Sequence, residues 1–291
     1  MDKFTFITDL HVAGVANNRT GDYLTDICDK LKWVVDHCNR EDRTLLIGGD
    51  LFDRAIVADS VKSAVASVLT QLKVKAVTIM GNHDRCYESD DQNYKTSYNV
   101  LAACGCIRDI DGYSYRSGNV MISNQEVFFD DAMPEIKMYH GFLNQEDGRN
   151  TFRSEWIRGT NKLILLGHDH KKYPDLEVTP GVVVIRPGSF ARQGRTEESY
   201  RQPEIVDITW DGERFITEYK EIEAARHYDT IFKTKLESYK STGSITYLDL
   251  LMSLNEVSVD SEDLVDILKD CASCQVIELV KELLARKILK K

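Results

Sequence analysis

Thr44-Leu45-Leu46-Ile47-Gly48-Gly49-Asp50-Leu51-Phe52-Asp53 is a short apolar run, two glycines and a carboxylate, in that order. Such a run closed by glycine reads as a buried strand that ends abruptly, with the acidic residue at its carboxyl end. The same order recurs along the chain. Phe4-Thr5-Phe6-Ile7-Thr8 runs into Asp9-Leu10-His11, and Val77-Thr78-Ile79-Met80 into Gly81-Asn82-His83-Asp84. Lys137-Met138-Tyr139 runs into His140-Gly141, and Leu163-Ile164-Leu165-Leu166 into Gly167-His168-Asp169-His170. Loops at the carboxyl ends of strands in an open α/β sheet face one crevice, so these five can converge on one site. Glycine lets the backbone turn sharply there and come close to whatever the site holds.

Around these runs, strands are expected at Phe4–Thr8, Thr44–Ile47, Ala76–Met80, Val120–Ser123, Ile136–Tyr139, Leu163–Leu166, Val182–Arg186, Ile205–Thr209 and Phe215–Tyr219. Helices are expected at Tyr23–Asn39, where Ile27, Leu31, Val34 and Val35 recur at helical spacing, and at Ala58–Leu72. Strands alternating with helices early, and unaccompanied later, point to an α/β layered sandwich. The pattern holds over residues 1–222. From 223 to 291 it gives way to three helix-like stretches near Thr246–Leu254, Glu262–Cys271 and Gln275–Leu289. The last has an apolar face and Ser273 as its N-cap, so this region reads as a small helical appendix.

Composition sets the limits. The chain has 291 residues, 42% hydrophobic and 29% charged, a globular profile that excludes disorder as a whole-chain answer. No apolar stretch approaches the ~18–20 residues of a membrane span, and no secretion signal opens the chain, so a cytoplasmic location is expected. The seven cysteines form no disulfide framework. Cys271-Ala-Ser-Cys274 is formally a metal-binding pair, but no second pair answers it, and reduced thiols are expected. A net charge of −10 argues against an indiscriminate nucleic-acid binder, although acidic metal ligands count as negative until their ions arrive.

Five of the seven histidines fall in the strand-end loops; His37 and His227 lie elsewhere and are read as ordinary residues. One aspartate after a strand is a turn residue; five loops with complementary ligands are not explained that way. Carboxylate, imidazole and amide side chains suit manganese, iron or zinc. Asp9, His11, Asp50, Asn82, His140, His168 and His170 are too many ligands for one ion. A bridging carboxylate would give each of two ions four protein contacts. Two ions ~3.5–4 Å apart activate a water and clamp a phosphoryl group.

The order Asp-x-His, Gly-Asp-x-x-Asp, Gly-Asn-His-Asp, His-Gly and Gly-His-x-His resembles that of the calcineurin-like metallophosphoesterases over roughly residues 5 to 190. The resemblance implies a four-layer α/β/β/α sandwich, two mixed sheets flanked by helices. It implies Asp9, His11, Asp50 and His170 on one metal and Asp50, Asn82, His140 and His168 on the other. His83, needed by neither shell, would protonate the leaving oxygen. In relatives the position of Asp53 orients that histidine and favours its charged form, so an Asp53–His83 pair is expected. Some repair nucleases of the family have a histidine at that position, and their second catalytic histidine has no counterpart here.

Within the superfamily, Gly-Asp-Leu-Phe-Asp, Gly-Asn-His-Asp and Arg186-Pro-Gly-Ser-Phe190 look most like the SbcD-type DNA repair and recombination nucleases. The stretches Gly188–Arg195 and Arg19–Tyr23 resemble the shorter bacteriophage-encoded members. This implies a manganese-dependent exo- or endonuclease acting on DNA with an SbcC-type coiled-coil ATPase. Arg186, Arg192 and Arg195 are its candidate substrate-binding residues; the same arginines also suit a solvated loop paired with Glu197, Glu198 and Glu204. The departure lies after 222, where only about seventy residues stand for the capping and ATPase-docking segments of full-length relatives. That region is read as reduced capping, partner docking or self-association into a homodimer. A small-molecule phosphodiesterase or phosphomonoesterase is the alternative, favoured by the net acidity and the small C-terminal region.

Overall fold

The computed structural model of the chain describes residues 1–16, 19–86, 90–125, 133–145, 150–194 and 200–232. Its elements begin with β1 (Asp2–Ile7), α1 (Tyr23–Glu41), β2 (Thr44–Ile47), α2 (Asp59–Leu69), β3 (Val77–Thr78) and α3 (Ser97–Ala103). Then come β4 (Arg108–Asp109), β5 (Ser114–Ser117), β6 (Val120–Ser123), β7 (Glu135–His140), β8 (Phe142–Leu143) and β9 (Thr151–Phe152). The run closes with β10 (Lys162–Gly167), β11 (Leu176–Thr179), β12 (Val182–Ile185), β13 (Glu204–Trp210), β14 (Phe215–Glu221) and α4 (Tyr228–Ile231).

All nine expected strands form. They belong to two six-stranded mixed sheets, ordered β14-β13-β1-β2-β3-β4 and β11-β12-β10-β7-β6-β5. In each, a parallel centre carries antiparallel strands at its edges, β13–β14 in one and β5 and β11 in the other. Register brings the strand ends level. Ile7 pairs with Ile47, Ile47 with Thr78, and Gly167 with His140, so the ligand-bearing loops of each sheet start side by side.

The strands alternate faces as a twofold period requires. Phe4, Phe6, Leu46 and Ile208 of the first sheet meet Ile122, Met138, Leu163 and Leu165 of the second in a shared core. Ile7, Leu45, Ile47 and Ile205 point the other way, under α1, α2 and α3. Helix α1 starts where the Asp22 carboxylate accepts the Thr25 N–H at 2.9 Å, and ends where Asp42 turns left-handed, φ 51°. The far face of the second sheet, Ile164, Leu166, Val182 and Val184, packs on Phe152 and the segment to Ile157. Among the described residues that face is covered by β8–β9 and the segment that follows, which holds a short 3-10 helix at Ser154–Trp156.

Met1–Ile231 is one compact unit and Phe232–Lys291 another. Residues just after Ile222 pack on the first unit: Ala225 joins the helix-side core and Arg226 donates to Thr20 O at 3.0 Å. The three helices expected from Thr246 onward, Cys271 and Cys274 lie outside the described residues. Among the described residues no helix is long and apolar enough to cross a membrane.

Candidate metal centre

The loops that leave the strand ends are built in unusual backbone. Asp9, His11, Asp50 and His168 all have left-handed φ, at 54°, 43°, 49° and 87°. Non-glycine residues avoid that region, and its concentration at one place marks a site over-determined by its surroundings. The surroundings are visible: Asp9 N–H donates to Gly49 O (3.1 Å), His11 N–H to Asp50 O (2.9 Å), and His168 N–H to the Asp9 carboxylate (3.0 Å). Gly81 is needed for closeness rather than for φ. A Cβ there would lie 2.0 Å from Asp50 Oδ1.

These turns bring all seven expected ligands together in two groups. Asp9, His11 and His170 present ligand atoms within 4.8 Å of one another, and so do Asp50, His140 and His168. Asn82 Oδ1 joins the second group, 3.1 Å from His140 Nε2 and 2.8 Å from His168 Nδ1. Asp50 Oδ2 lies 3.2 Å from His140 Nε2 and 3.6 Å from His11 Nε2, facing one member of each group. His11 Nε2 and His170 Nε2 approach to 2.9 Å. Two imidazole nitrogens turned on each other beside a carboxylate, with an amide oxygen between two more, form a donor set that suits divalent cations. The residues present therefore fit two such ions, with Asp50 placed to be shared.

A second layer orients the first. His140 Nδ1 meets Gly48 O at 2.8 Å, which turns Nε2 into the site. Thr8 Oγ1 donates to Asp9 Oδ2 (2.8 Å), and Ser189 Oγ and Ala191 N–H to Asp9 O (2.9 and 3.0 Å). Buried Lys30 ties that loop down by donating to Phe190 O at 2.6 Å. Burial pushes the His11 imidazole down to about 4 against the pull of Asp9 and Asp50. Burial penalises the Asp50 charge, but the hydrogen bond and charge of His140 outweigh it and hold the carboxyl at about 2. A neutral His11 and an ionised Asp50 are the forms that ligate metal.

Asp84 is a functional residue that ligand spacing does not mark, although it closes the Gly-Asn-His-Asp motif. Fully buried, it accepts Leu51 N–H and Phe52 N–H (both 3.0 Å) and Gly81 N–H (3.1 Å). It thereby clamps the Asp50 loop to the Asn82 loop. Burial, then the Asp50 charge, push its carboxyl up to about 7 against those three donors.

The expected Asp53–His83 pair takes a different form. His83 Nδ1 donates to the main-chain oxygen of Asp53 at 2.7 Å. The Asp53 carboxylate instead accepts from Gln193 Nε2 (2.7 Å) and lies 3.8 Å from His11 Nδ1. A carbonyl orients the ring as well as a carboxylate does, without adding a full charge. Gln193 holds the carboxylate, which still lies within 4.8 Å of ring nitrogens of both His11 and His83. His83 N–H also donates to Asp50 Oδ1 at 2.8 Å, tying this residue to the shared ligand.

Of the candidate substrate arginines, the two described, Arg186 and Arg192, do not line the recess at the centre. Arg192 is 2% exposed, and its guanidinium donates to the carbonyls of Arg201 and Arg226. This corrects its assignment to the substrate surface: a group buried on main-chain oxygens is a structural tie, closed to a phosphate. Arg186 stacks on Tyr173, 4.1 Å from the ring centre. Arg195 lies outside the described residues. The arginine that does reach the site is Arg85. It lines a recess of about 700 Å3 together with Asn82, His140, Asp111 and Asn150, and holds Asp111 at 2.5 Å. Of the two remaining histidines, His37 is bonded to buried Asp207 (2.9 Å) and His227 is a surface residue beside Asp229.

The calcineurin-like phosphoesterase family matches residues 2–186, which hold all seven ligands and His83. A solved archaeal phosphodiesterase is 15% identical, with a TM-score of 0.39 over 75% of this chain and 99% of that one. TT1561 of Thermus thermophilus is 10% identical, with a TM-score of 0.45 over 76% of this chain and 99% of that one. The 5'-nucleotidase precursor of the same organism is 12% identical at a TM-score of 0.45, with 88% of this chain aligned to only 60% of that protein. The sequence matches no curated protein. The family match spans more than half of the sequence and every loop of the centre, and the chain belongs to the calcineurin-like phosphoesterases.

Proposed function

We propose that this phosphoesterase is a manganese-dependent DNA nuclease of the SbcD type, working in repair, recombination or replication with an SbcC-type coiled-coil ATPase. The observation that carries the reading is the combination of a complete two-ion donor set with an acid, His83, beside it and a recess of about 700 Å3 opening from Asn82 and His140. A bare phosphate needs far less room than that. The recess suits the chain on one side of a scissile phosphodiester.

Divalent cations held by Asp9, His11, Asp50 and His170, and by Asp50, Asn82, His140 and His168, supply charge stabilisation and an activated water. The residues do the rest. His83 Nδ1 is committed to Asp53 O, so Nε2 is the atom that gives a proton to the departing oxygen. Asp84 holds the two loops that carry Asp50 and Asn82 in register, and Gln193 fixes the Asp53 carboxylate beside His11 and His83. A small-molecule phosphodiesterase is the second reading. The burial of Arg192 favours it, because it removes one of the cations meant for flanking phosphates.

The test is incubation with manganese or magnesium of end-labelled single- and double-stranded DNA and of p-nitrophenyl phosphate esters, with His83→Ala beside each reaction. Metal- and His83-dependent degradation of DNA is the expected result, with the variant slowed about 10²–10⁴-fold and its metals retained. Intact DNA with rapid ester hydrolysis transfers the conclusion to the second reading.

A further inference from the structure

A second recess, about 550 Å3, opens beside His83, and Arg54, Ala55, Ile56 and Arg85 line it. Ile56 is 61% exposed. An isolated surface hydrophobe needs no explanation by itself, but this one is held in place. Buried Ser97 donates its N–H to Ala55 O at 2.7 Å, and its hydroxyl accepts the Val57 N–H at 2.9 Å. Both neighbours of Ile56 are thus pinned to one buried serine, and the side chain between them stays in water. Two arginines stand beside it: Arg54, 73% exposed and 3.7 Å from the Asp53 carboxylate, and Arg85, which is held by Asp111 and lines both this recess and the larger one.

His83 decides which part of a substrate lies here. Hydrolysis adds water across the P–O bond. The hydroxyl goes to phosphorus, the broken bond's electron pair stays on the departing oxygen, and that oxygen takes the His83 proton. The departing group must therefore sit against the recess that His83 lines, and the retained group against the recess at Asn82 and His140. We propose that the recess at Ile56 is the leaving-group subsite and takes an apolar face of the departing group. In a nucleic-acid substrate the base of the departing nucleoside lies on Ile56, and its next phosphate lies by Arg54. The choice of a nucleobase rests on the nuclease reading; the choice of an apolar departing group rests on Ile56 and His83.

The experiment uses the full chain and an Ile56→Asp variant, a change at an exposed position, with thermal melting to verify the fold. Substrates are the thymidine dinucleotide and its two forms lacking one base, and the products show which nucleoside departs. Loss of the departing base should lower kcat/KM of the wild type about tenfold, the scale expected when a base covers one exposed aliphatic side chain. In Ile56→Asp that loss should shrink below about twofold, whereas loss of the retained base should affect both enzymes alike. An equal penalty for the departing base in both enzymes overturns the proposal. If the dinucleotide resists the wild type, bis(p-nitrophenyl) phosphate decides about the subsite: a tenfold loss in the variant keeps it, and unchanged turnover removes it, while the nuclease reading stands or falls on the DNA assay. An arm without turnover follows the Ile56 methyl resonance as millimolar thymidine is added. A saturable shift supports the subsite, and none overturns it as a nucleoside site.

Discussion

Adding one methyl group to Gly81 should dismantle the centre without touching any ligand. The Cβ of Gly81→Ala would lie 2.0 Å from Asp50 Oδ1 and 2.2 Å from the Asp50 main-chain nitrogen, where real Cβ contacts stay beyond 3.0 Å. Asp50 must retreat by about 1 Å, and rotating its side chain cannot help, because its backbone is struck as well. Its carboxylate faces His140 and His11 and holds His83 N–H, so a shift of that size affects both groups of ligands. Metal sites tolerate about 0.2 Å in ligand distance, so Asp50 leaves both shells. Expected results are a stability loss of about 1–3 kcal/mol from overpacking, fewer than two manganese ions per chain by atomic absorption, and turnover down at least about 100-fold. Gly194→Ala is the control: among the described residues its Cβ meets nothing within 4 Å, and it should match the wild type. A Gly81→Ala protein that still holds two ions and turns over normally would refute the packing argument and the sharing of Asp50 with it.

Three further outcomes test the surrounding architecture. Arg192→Ala should cost roughly 2–4 kcal/mol in urea unfolding, by stranding buried carbonyls, yet leave the salt dependence of DNA binding unchanged; a flatter salt slope would return Arg192 to the substrate surface. Asp84→Asn should speed amide exchange at Leu51, Phe52 and Gly81, because an amide offers one acceptor oxygen where the carboxylate offers two; unchanged protection there would void its clamp role. Burial raises the Asp207 carboxyl, but hydrogen bonds from His37, Thr5 and Lys220 outweigh it and hold it at about 2 instead of 3.8. The stability it contributes, about 2 kcal/mol, is present above pH 3.8 and lost as pH falls toward 2, so the unfolding free energy should drop across that window and drop less in Asp207→Asn.

The parts of this fold legible in the sequence are those whose signal is local and repeated. Leu45, Leu46 and Ile47 declare a strand because both faces of it are buried, and the glycines after it declare where it stops. The two-residue strands β4, β8 and β9 are too short to show any period. β5 and β11 stand at sheet edges and are largely exposed, and nothing in Ser114–Ser117 distinguishes β5 from a loop. The cover on the second sheet escapes a sequence reading for a related reason. Phe152 and Ile157 are scattered apolar residues with no helical spacing, and only the sheet beneath them gives them a common purpose.

At the centre the division runs between what a side chain is and what holds it. Metal ligands are recognisable by type, because few other roles demand two carboxylates, four imidazoles and an amide at strand ends. Orientation has no such marker. His83 meets a carbonyl instead of a carboxylate because residue 53 offers both, and Gln193, distant in sequence, decides which is free. Charge is the least legible property of all. Arg192 and Arg85 carry the same guanidinium, yet one lies under main-chain oxygens and the other lines the recess at Asn82 and His140. A cation close to Gly-Asn-His-Asp is carried to the centre by that motif, whereas one in a later loop goes wherever the loop packs. Arginines that touch substrate in this chain are therefore to be sought beside the ligand motifs, at Arg54 and Arg85, before the cationic stretch that follows Ile185.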